Sequence, residues 1–504
     1  MGTCADNGLG TGMSAAEGAP STYEKTYNRN LLSKRGKCWV AILDRDFLPH
    51  RLGKERNRSS KVLVFAIILI AVLMLAAIAG LIGQIGDSKE PLRSDTPVRI
   101  PARIAYTTHS PILIIGNGGF TNESGVVWGS GTESDPYIIE GWDINSSTAN
   151  GIDLQNTYAH FTVRACHVHD GGLSYYGVSL FNCVNGTLEN NHCSNNVCGI
   201  RLYSGSNNNT LNNNNCSDNS DGIAVSSGKN NTISNNTCCS NNVYGIVLTW
   251  SSDSTLSNNT CYSNNECGIY LFYSSSSNPL SNNTCSNNGY GIYLHSSSDS
   301  TLSNNTCSNN GYGIVLAWSS DSTLSNNTCS SNNVYGIHLY YSSGGNTLSN
   351  NTCSSNNVYG IFLYSSSGNT LNNNTCVSNG WYGVYLFYSS NNRIWNNTFY
   401  HNNGAGDAFD PLHIQAYDDG LNNWWNSTDG YGNYWSDWTA PDVVPPYGIV
   451  DVPYDIAGSA GAKDYYPLTT PQAPIPEFGM MPFVVMVLLA TTVLTMRAWR
   501  RKAQ

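Results

Sequence analysis

Gly311-Tyr312-Gly313-Ile314-Val315-Leu316-Ala317-Trp318-Ser319-Ser320-Asp321-Ser322-Thr323-Leu324-Ser325-Asn326-Asn327-Thr328-Cys329 spans most of one period of a sequence that repeats itself over much of its length. Aligned on the glycine that precedes Ile or Val, the periods begin at 177, 199, 222, 245, 268, 291, 313, 336, 360 and 383, a step of 22–24 residues. Self-similarity at such a fixed step signals a solenoid. A leucine-rich repeat would need a helical or 3₁₀ segment with an apolar face of its own. Here the apolar residues come instead in three short β-type pieces, Ile-x-Leu, Thr-Leu and Thr-Cys, split by Ser and Asn. Asn tolerates the left-handed backbone of tight turns, so each Asn-Asn marks a corner, and stacked amides can bond from coil to coil. Three strands and three turns per coil predict an all-β fold, a right-handed parallel β-helix. About ten coils at ~4.8 Å each make a rod of roughly 50 Å.

Alternation within a strand sends Ile and Leu of Gly-Ile-x-Leu inward and x outward. Leu256, Leu302, Leu324, Leu348 and Leu371 fill a second inner row. Cys193, Cys216, Cys238, Cys261, Cys285, Cys307, Cys329, Cys353 and Cys376 form a third, one thiol per coil. Thiolates suit soft Cu(I), and cross-coil disulfides are the other chemical option, although parallel side chains keep Cβ atoms near 4.8 Å, beyond the ~3.5–4.5 Å usual for a bridge. A small, readily buried hydrophobe in a narrow core corner is the reading preferred here. The ladder is therefore expected to hold no metal, and no cofactor is expected.

Composition agrees with a Ser/Asn-rich solenoid. Charged residues are 12% of 504, against 48 Gly and 31 Tyr. Ser, Asn and Gly loosen helices, which excludes a coiled coil or bundle. A net charge of −10 argues against nucleic acid as partner. The charge is unevenly spread: residues 1–61 carry eleven Lys/Arg and six Asp/Glu, whereas 87–496 carry nine and 28. Val62–Ile82 is an uncharged run of 21 residues after Arg51, Lys54, Arg56, Arg58 and Lys61; Phe478–Met496 is a second run, closed by Arg497, Arg500, Arg501 and Lys502. Lengths and flanks predict N- and C-terminal transmembrane helices, with both termini cytoplasmic and residues 87–477 extracellular. A cleaved signal peptide ending at Ala77-Ile78-Ala79 is the alternative for the first run. The expected order is a basic tail (1–61, or a start codon placed too early), a membrane helix or signal anchor (62–86), a linker and N-terminal cap (87–150), repeats (151–400), an aromatic and Gly-rich cap (401–470), a Pro-rich linker (471–477) and an anchor (478–504).

The outward positions should carry function. The x row reads Ser179, Arg201, Ala224, Val247, Tyr270, Tyr293, Val315, His338, Phe362, Tyr385; two residues on come Phe181, Tyr203, Ser226, Thr249, Phe272, His295, Ala317, Tyr340, Tyr364, Phe387. Neither row holds an acid, and glycoside hydrolysis ordinarily needs two carboxyl groups across the bond. Rings with polar tips stack on sugars. Trp250, Tyr270, Phe272, Tyr293, His295, Trp318, His338, Tyr340, Phe362, Tyr364, Tyr385 and Phe387 are thus the expected carbohydrate-binding stripe of a non-catalytic, membrane-anchored surface protein. A lyase or hydrolase would have to draw acids from Asp143, Asp153, Asp170, Asp407 or Asp410. Asp253, Asp299 and Asp321 read as turn residues. Asn258, Asn282, Asn304, Asn326, Asn350 and Asn373 begin Asn-x-Thr sequons, open to glycans on an exported chain. His167 and His169 share a strand face, two ligands without a visible third, and read as surface histidines.

Two resemblances bear on this. Pro476-Glu477-Phe478, one apolar run and a basic end resemble the PEF-CTERM signals of archaeal surface proteins; the resemblance implies an archaeosortase-type processing enzyme as partner. The Asn-Asn-Thr coils, Gly432-Asn433-Tyr434-Trp435-Ser436-Asp437-Trp438, Gly448-Ile449-Val450-Asp451-Val452-Pro453-Tyr454-Asp455-Ile456-Ala457-Gly458 and Asp464-Tyr465-Tyr466-Pro467-Leu468 resemble archaeal NosD-like proteins over about 150–470. That implies a β-helix grouped with carbohydrate-binding and sugar-hydrolase modules, and, through its namesake, copper-site maturation as a further alternative. Relatives often carry an acidic Asp-Gly-Asp-Gly-type stretch where this chain has Val443-Val444-Pro445-Pro446-Tyr447.

Overall fold

A computed structural model describes residues 106–471. Nearly every strand in it is short and parallel to the strand one coil away. The Ile-x-Leu strands form a 13-stranded sheet, the Thr-Leu strands a 12-stranded sheet and the Thr-Cys strands a 14-stranded sheet. Together they are the three walls of a right-handed parallel β-helix. The shortest wall sets twelve complete strand triplets, joined by eleven coil-to-coil steps, rather than about ten. The extra coils lie before the regular repeat: Ile112–Ile115, Tyr137–Glu140 and Trp142–Asn145 already belong to the three walls. The loop between Ile115 and Tyr137 breaks the period, so glycine spacing does not find them. The expected membrane helices fall outside the described residues. Among the described residues, no helix is long and apolar enough to cross a membrane.

Register is strict. Ile246, Ile269, Ile292 and Ile314 stand opposite one another on successive strands, and the nine ladder cysteines, Cys193 to Cys376, stand in one column. All nine are fully buried, with the Leu and Ile rows beside them in one continuous core. The glycine before each Ile is required by packing: a Cβ on Gly313 would lie 2.3 Å from the Gly336 carbonyl oxygen one coil on.

The two residues of each Asn-Asn corner have different work. The first adopts the left-handed conformation, as at Asn304 (φ 55) and Asn326 (φ 56). The second is buried and joins a ladder. Its backbone N–H and its side-chain Nδ2 both donate to the Oδ1 of the next asparagine, as from Asn283 to Asn305 (3.0 and 3.0 Å) and from Asn305 to Asn327 (3.0 and 3.0 Å). Nδ2 also reaches back to a core strand, as from Asn305 to the Leu280 carbonyl (2.9 Å). One ladder runs from Asn191 to Asn433; a second runs from Asn196 through Asn402; a third, mixed with serines, ends with Asn346, Asn369, Asn392 and Asn423.

Because each rung donates forward, the last rung needs an acceptor that is not itself an amide donor, and an ionised carboxylate is acceptor-only. Asn433 donates to Asp464 Oδ2 (2.7 Å from its N–H). Asn402 donates to Gln415 Oε1, whose Nε2 donates to Asp437 Oδ1 (2.6 Å). Asn423 donates to Asp418 Oδ1 (2.8 Å). Each acid is also held by an aromatic donor: Trp435 on Asp464, Tyr454 on Asp437 and Trp425 on Asp418. Burial raises all three carboxyl pKa values, that of Asp464 to about 6. The aromatic C-terminal segment is thus the terminator of the amide ladders.

The corner pair gives a direct contrast. Asn305→Ala strands the Asn283 N–H and amide in the interior and should cost about 2–3 kcal/mol, read as a lower midpoint of urea unfolding. Asn304→Gly keeps the left-handed turn and should shift stability by less than about 0.5 kcal/mol.

Candidate functional site

The outer face of the Ile-x-Leu wall carries the aromatic rows. Its x row and the row two residues on lie in register, so rings meet rings. Tyr270 stacks on Tyr293 (centroids 5.1 Å apart), His338 on Phe362 (4.8 Å) and Phe362 on Tyr385 (5.1 Å). In the next row Tyr340 stacks on Tyr364 (5.5 Å) and Tyr364 on Phe387 (5.3 Å), while Phe272 and His295 meet at a tilt. A further row of tyrosines, one residue before each repeat glycine, flanks them, with Tyr290 on Tyr312 and Tyr335 on Tyr359.

This corrects the expected exposed stripe. Tyr270 and Phe362 are buried, and Phe272, Tyr293, His295, His338, Tyr340, Tyr364, Tyr385 and Phe387 are half-buried. The reason is geometric. The ~4.8 Å strand spacing is close to ring-stacking distance, so rings in neighbouring coils cover each other's faces and turn edges to water. Val247, Cys267 and Tyr270 form a small second core outside the wall. His338 illustrates the enclosure: burial drives its pKa down to about 3.

The open rings are at the corner beside this face. Trp250, Tyr273, Trp318 and Tyr388 are 56%, 45%, 44% and 66% exposed. Each of these, with Tyr341, has left-handed backbone: φ is 48 at Trp250, 47 at Tyr273, 49 at Trp318, 40 at Tyr341 and 48 at Tyr388. Bulky residues rarely adopt that region, at a cost of order 1–3 kcal/mol each. Ser227, Ser296 and Ser365 take the same corner conformation in intervening coils. The corner order is therefore Ser227, Trp250, Tyr273, Ser296, Trp318, Tyr341, Ser365, Tyr388, a pattern of three coils. Trp250, Trp318 and Tyr388 consequently recur every ~14 Å. The signal is present in the chain, since Tyr244–Cys261 and Tyr312–Cys329 differ at a single position, Thr249 against Ala317, and share the Trp-Ser-Ser-Asp run.

Acids do border the face: Asp153 stands in the x-row column opposite Ser179, and a second acid, Asp221, lies in the row before it. Asp221 is in register with Tyr244, and its pKa is raised to about 6, chiefly by burial, with Glu266 adding to the shift. Its row precedes the x row, so inspection of the two outward rows alone misses it. The acids considered for an enzyme are divided between the rod's ends. Asp143, Asp153 and Asp170 belong to the first coils, while Asp407 and Asp410 lie beyond the last, paired with His401 and His413 (both 2.8 Å). Asp253, Asp299 and Asp321 are exposed left-handed turn residues (φ 56 each). Asn258, Asn282, Asn304, Asn326 and Asn350 are exposed and Asn373 is half-buried. At the C-terminal end, Trp424, Asp429, Tyr431, Tyr447 and Tyr466 line a cleft of about 890 Å³.

The cysteine ladder faces inward throughout. None of the fourteen cysteines among the described residues is in a disulfide. Burial pushes the thiols of Cys238, Cys329 and Cys353 well above the ordinary range. Cys261 and Cys307, each between two S–H donors, are pulled the other way. Each thiol has one neighbour above and one below, a line rather than a converging ligand set.

Comparison with known proteins agrees with this architecture. Residues 271–440 match the family model of the periplasmic copper-binding protein NosD. Residues 110–260 and 198–328 match that of the right-handed beta helix region. These matches and the parallel solenoid support a NosD-like right-handed β-helix. No curated protein matches the chain. Among solved structures, the mannuronan C-5 epimerase AlgE6 A-module of Azotobacter vinelandii is 16% identical, with 58% of this chain and 88% of that chain covered and a TM-score of 0.39. The Dettilon tailspike protein is 15% identical over 53% and 59%, with a TM-score of 0.41. The catalytic unit of a GH87 alpha-1,3-glucanase from Streptomyces thermodiastaticus is 14% identical over 57% and 62%, with a TM-score of 0.33. Similarity at this level assigns no chemistry to the present chain.

Two outcomes follow from these environments. Replacing Cys285, Cys307 and Cys329 together with Val should leave copper(I) uptake by the folded protein unchanged and alter only packing; a stoichiometric copper load lost in that variant would make the ladder a metal site. Asp221 titrates near 6 folded and near 4 unfolded, so the folded state binds more protons between those values. Its contribution is greatest below pH 4 and falls as pH rises through 6. Asp221→Asn should therefore nearly match the parent at pH 4 and exceed it by up to about 3 kcal/mol at pH 7.5, measured by thermal unfolding.

Proposed function

We propose that this chain is a non-catalytic β-helix rod of the cell surface that binds an extended envelope glycan along its aromatic corner. The observation that carries the reading is the set of five aromatic residues in left-handed backbone at one corner, where serine serves in neighbouring coils. Backbone strain held at side chains that remain open to water is a mark of function rather than of folding. A group of corner rings recurring every ~14 Å, Trp250 with Tyr273, Trp318 with Tyr341 and then Tyr388, suits a polymer lying along the rod. The half-buried rows beside the corner supply a rigid floor of ring edges. The acidic balance of residues 87–496 favours a neutral glycan over a polyanion. The cap cleft lined by Trp424 and Tyr447 offers a second aromatic contact for a chain end.

In this proposal Val62–Ile82 and Phe478–Met496 anchor the rod, residues 87–477 face the outside, and the PEF-CTERM-like segment is the substrate of an archaeosortase-type enzyme. A second reading, polysaccharide cleavage, has one observation in its favour: Asp221, with its raised pKa, beside Tyr244 and Glu266. The copper-accessory reading suggested by the NosD name is less well supported, because the nine thiols are turned into the core.

Retention of the full-length protein on a panel of immobilised polysaccharides tests the proposal. At least one neutral glycan should bind, and Trp250→Ala with Trp318→Ala should weaken it at least tenfold, each ring contributing roughly 1 kcal/mol or more. Failure to bind any member removes the glycan assignment. Release of oligosaccharide products that disappears in Asp221→Asn would establish the cleavage reading instead.

A further inference from the structure

We propose that Asp143, His167 and His169 form a binding site for one divalent transition-metal ion of zinc-like character. His167 and His169 flank the inward Val168 on a strand of the Thr-Cys wall, so both imidazoles leave the same outer face. The third donor comes from the coil before. Asp143 stands opposite His167 in the parallel register, a neighbour that the stacking supplies and the linear sequence does not. One ligand atom from each residue lies within 4.8 Å of the others. Asp143 Oδ1 is 2.7 Å from His167 Nδ1 and 3.4 Å from His169 Nε2.

The surroundings orient these donors. His169 Nδ1 lies 2.9 Å from Asp170 Oδ2, which also accepts from Asn145 Nδ2 (3.2 Å). With the ring proton on Nδ1, the Nε2 lone pair points at Asp143, and two electron-rich atoms face one another. A shared cation relieves that opposition. A carboxylate behind a ligand histidine is a common support of metal centres. The His167 ring is braced on both sides, stacked on His169 at 4.5 Å and on His192 of the following coil at 4.9 Å. The side chains of Asp143, His167 and His169 are 35%, 28% and 20% exposed, open enough for an ion to enter and to keep a water or outside ligand in the remaining position.

The donor set selects the class of ion. Two imidazoles and a carboxylate match borderline divalent ions; calcium and magnesium prefer all-oxygen sites, and copper(I) prefers sulfur. Neighbouring ligands of a tetrahedral zinc lie about 3.3 Å apart. The Asp143–His169 distance already has this value, and the Asp143–His167 pair needs to open by only about half an ångström. The site lies near the N-terminal end of the rod, on a different wall from the aromatic face, and is independent of glycan binding.

Cobalt(II) and zinc titrations of the full-length chain, purified in detergent and freed of metal, test the assignment. Cobalt(II) should bind at one equivalent and give ligand-field bands of nitrogen and oxygen coordination, which zinc abolishes by displacement. Asp143→Asn and His169→Gln should each weaken zinc binding at least tenfold, while His413→Gln, which disrupts another His–Asp pair, leaves it unchanged. Asp143→Asn is nearly isosteric and retains a partner for His167, so it carries the test even if His169→Gln folds poorly. Absence of cobalt binding, affinity unchanged in Asp143→Asn, or a thiolate-to-cobalt charge-transfer band would overturn the proposal.

Discussion

A buried asparagine side chain at a sharp corner must satisfy two donors and an acceptor without water. In this rod each corner asparagine does so by passing its hydrogen bonds one way, from backbone N–H and amide into the next asparagine's oxygen. The arrangement has a direction, and the direction sets the boundary conditions. The start of a ladder is simple: the Cys166 N–H donates to Asn191 Oδ1. The end must be an acceptor. Asp418, Asp437 and Asp464 fill that role at the three corners, and Trp425, Tyr454 and Trp435 hold them from behind. The acids are buried at a cost offset by several charge-assisted bonds each. Consequently the aromatic C-terminal segment has a chemical purpose beyond covering apolar surface.

The same ladders hold the register, and register explains the other features. A cysteine in one period lies against a cysteine in the next, which makes an inward line of thiols and keeps them from converging. An aromatic residue in one period lies against an aromatic residue in the next, at a distance where rings stack. Repetition therefore closes the face that a lone outward aromatic would leave open. Rings remain open where the pattern bends the backbone into its left-handed form, at Trp250, Tyr273, Trp318 and Tyr388. Irregular coils have the opposite property. Asp143 differs in kind from His167 and His192 although the three share one column, and the column brings unlike chemistry together.

The sequence by itself determined the coil. Glycines at a step of 22–24 residues, Asn-Asn at the corners and three apolar pieces per period admit one backbone path, since strand alternation and turn conformation are local properties. The inward rows of Ile, Leu and Cys were legible for that reason, as was the absence of acids from the two outward rows of the ten regular coils, whereas the place of Asp153 at the head of the x row was not. The first coils were not, because the insertion between Ile115 and Tyr137 hides their period. Contacts across coils were decided only by tertiary structure. The burial of Tyr270 and Phe362 by their neighbours depends on strand spacing, the approach of Asp221 to Tyr244 on the pairing of neighbouring coils, and the meeting of Asp143 with His167 and His169 on the register of two irregular coils. The termination of each ladder by an aspartate depends on where the chain folds back after the last triplet. These are long-range relations, and a one-dimensional reading contains their residues but not the distances that give them chemistry.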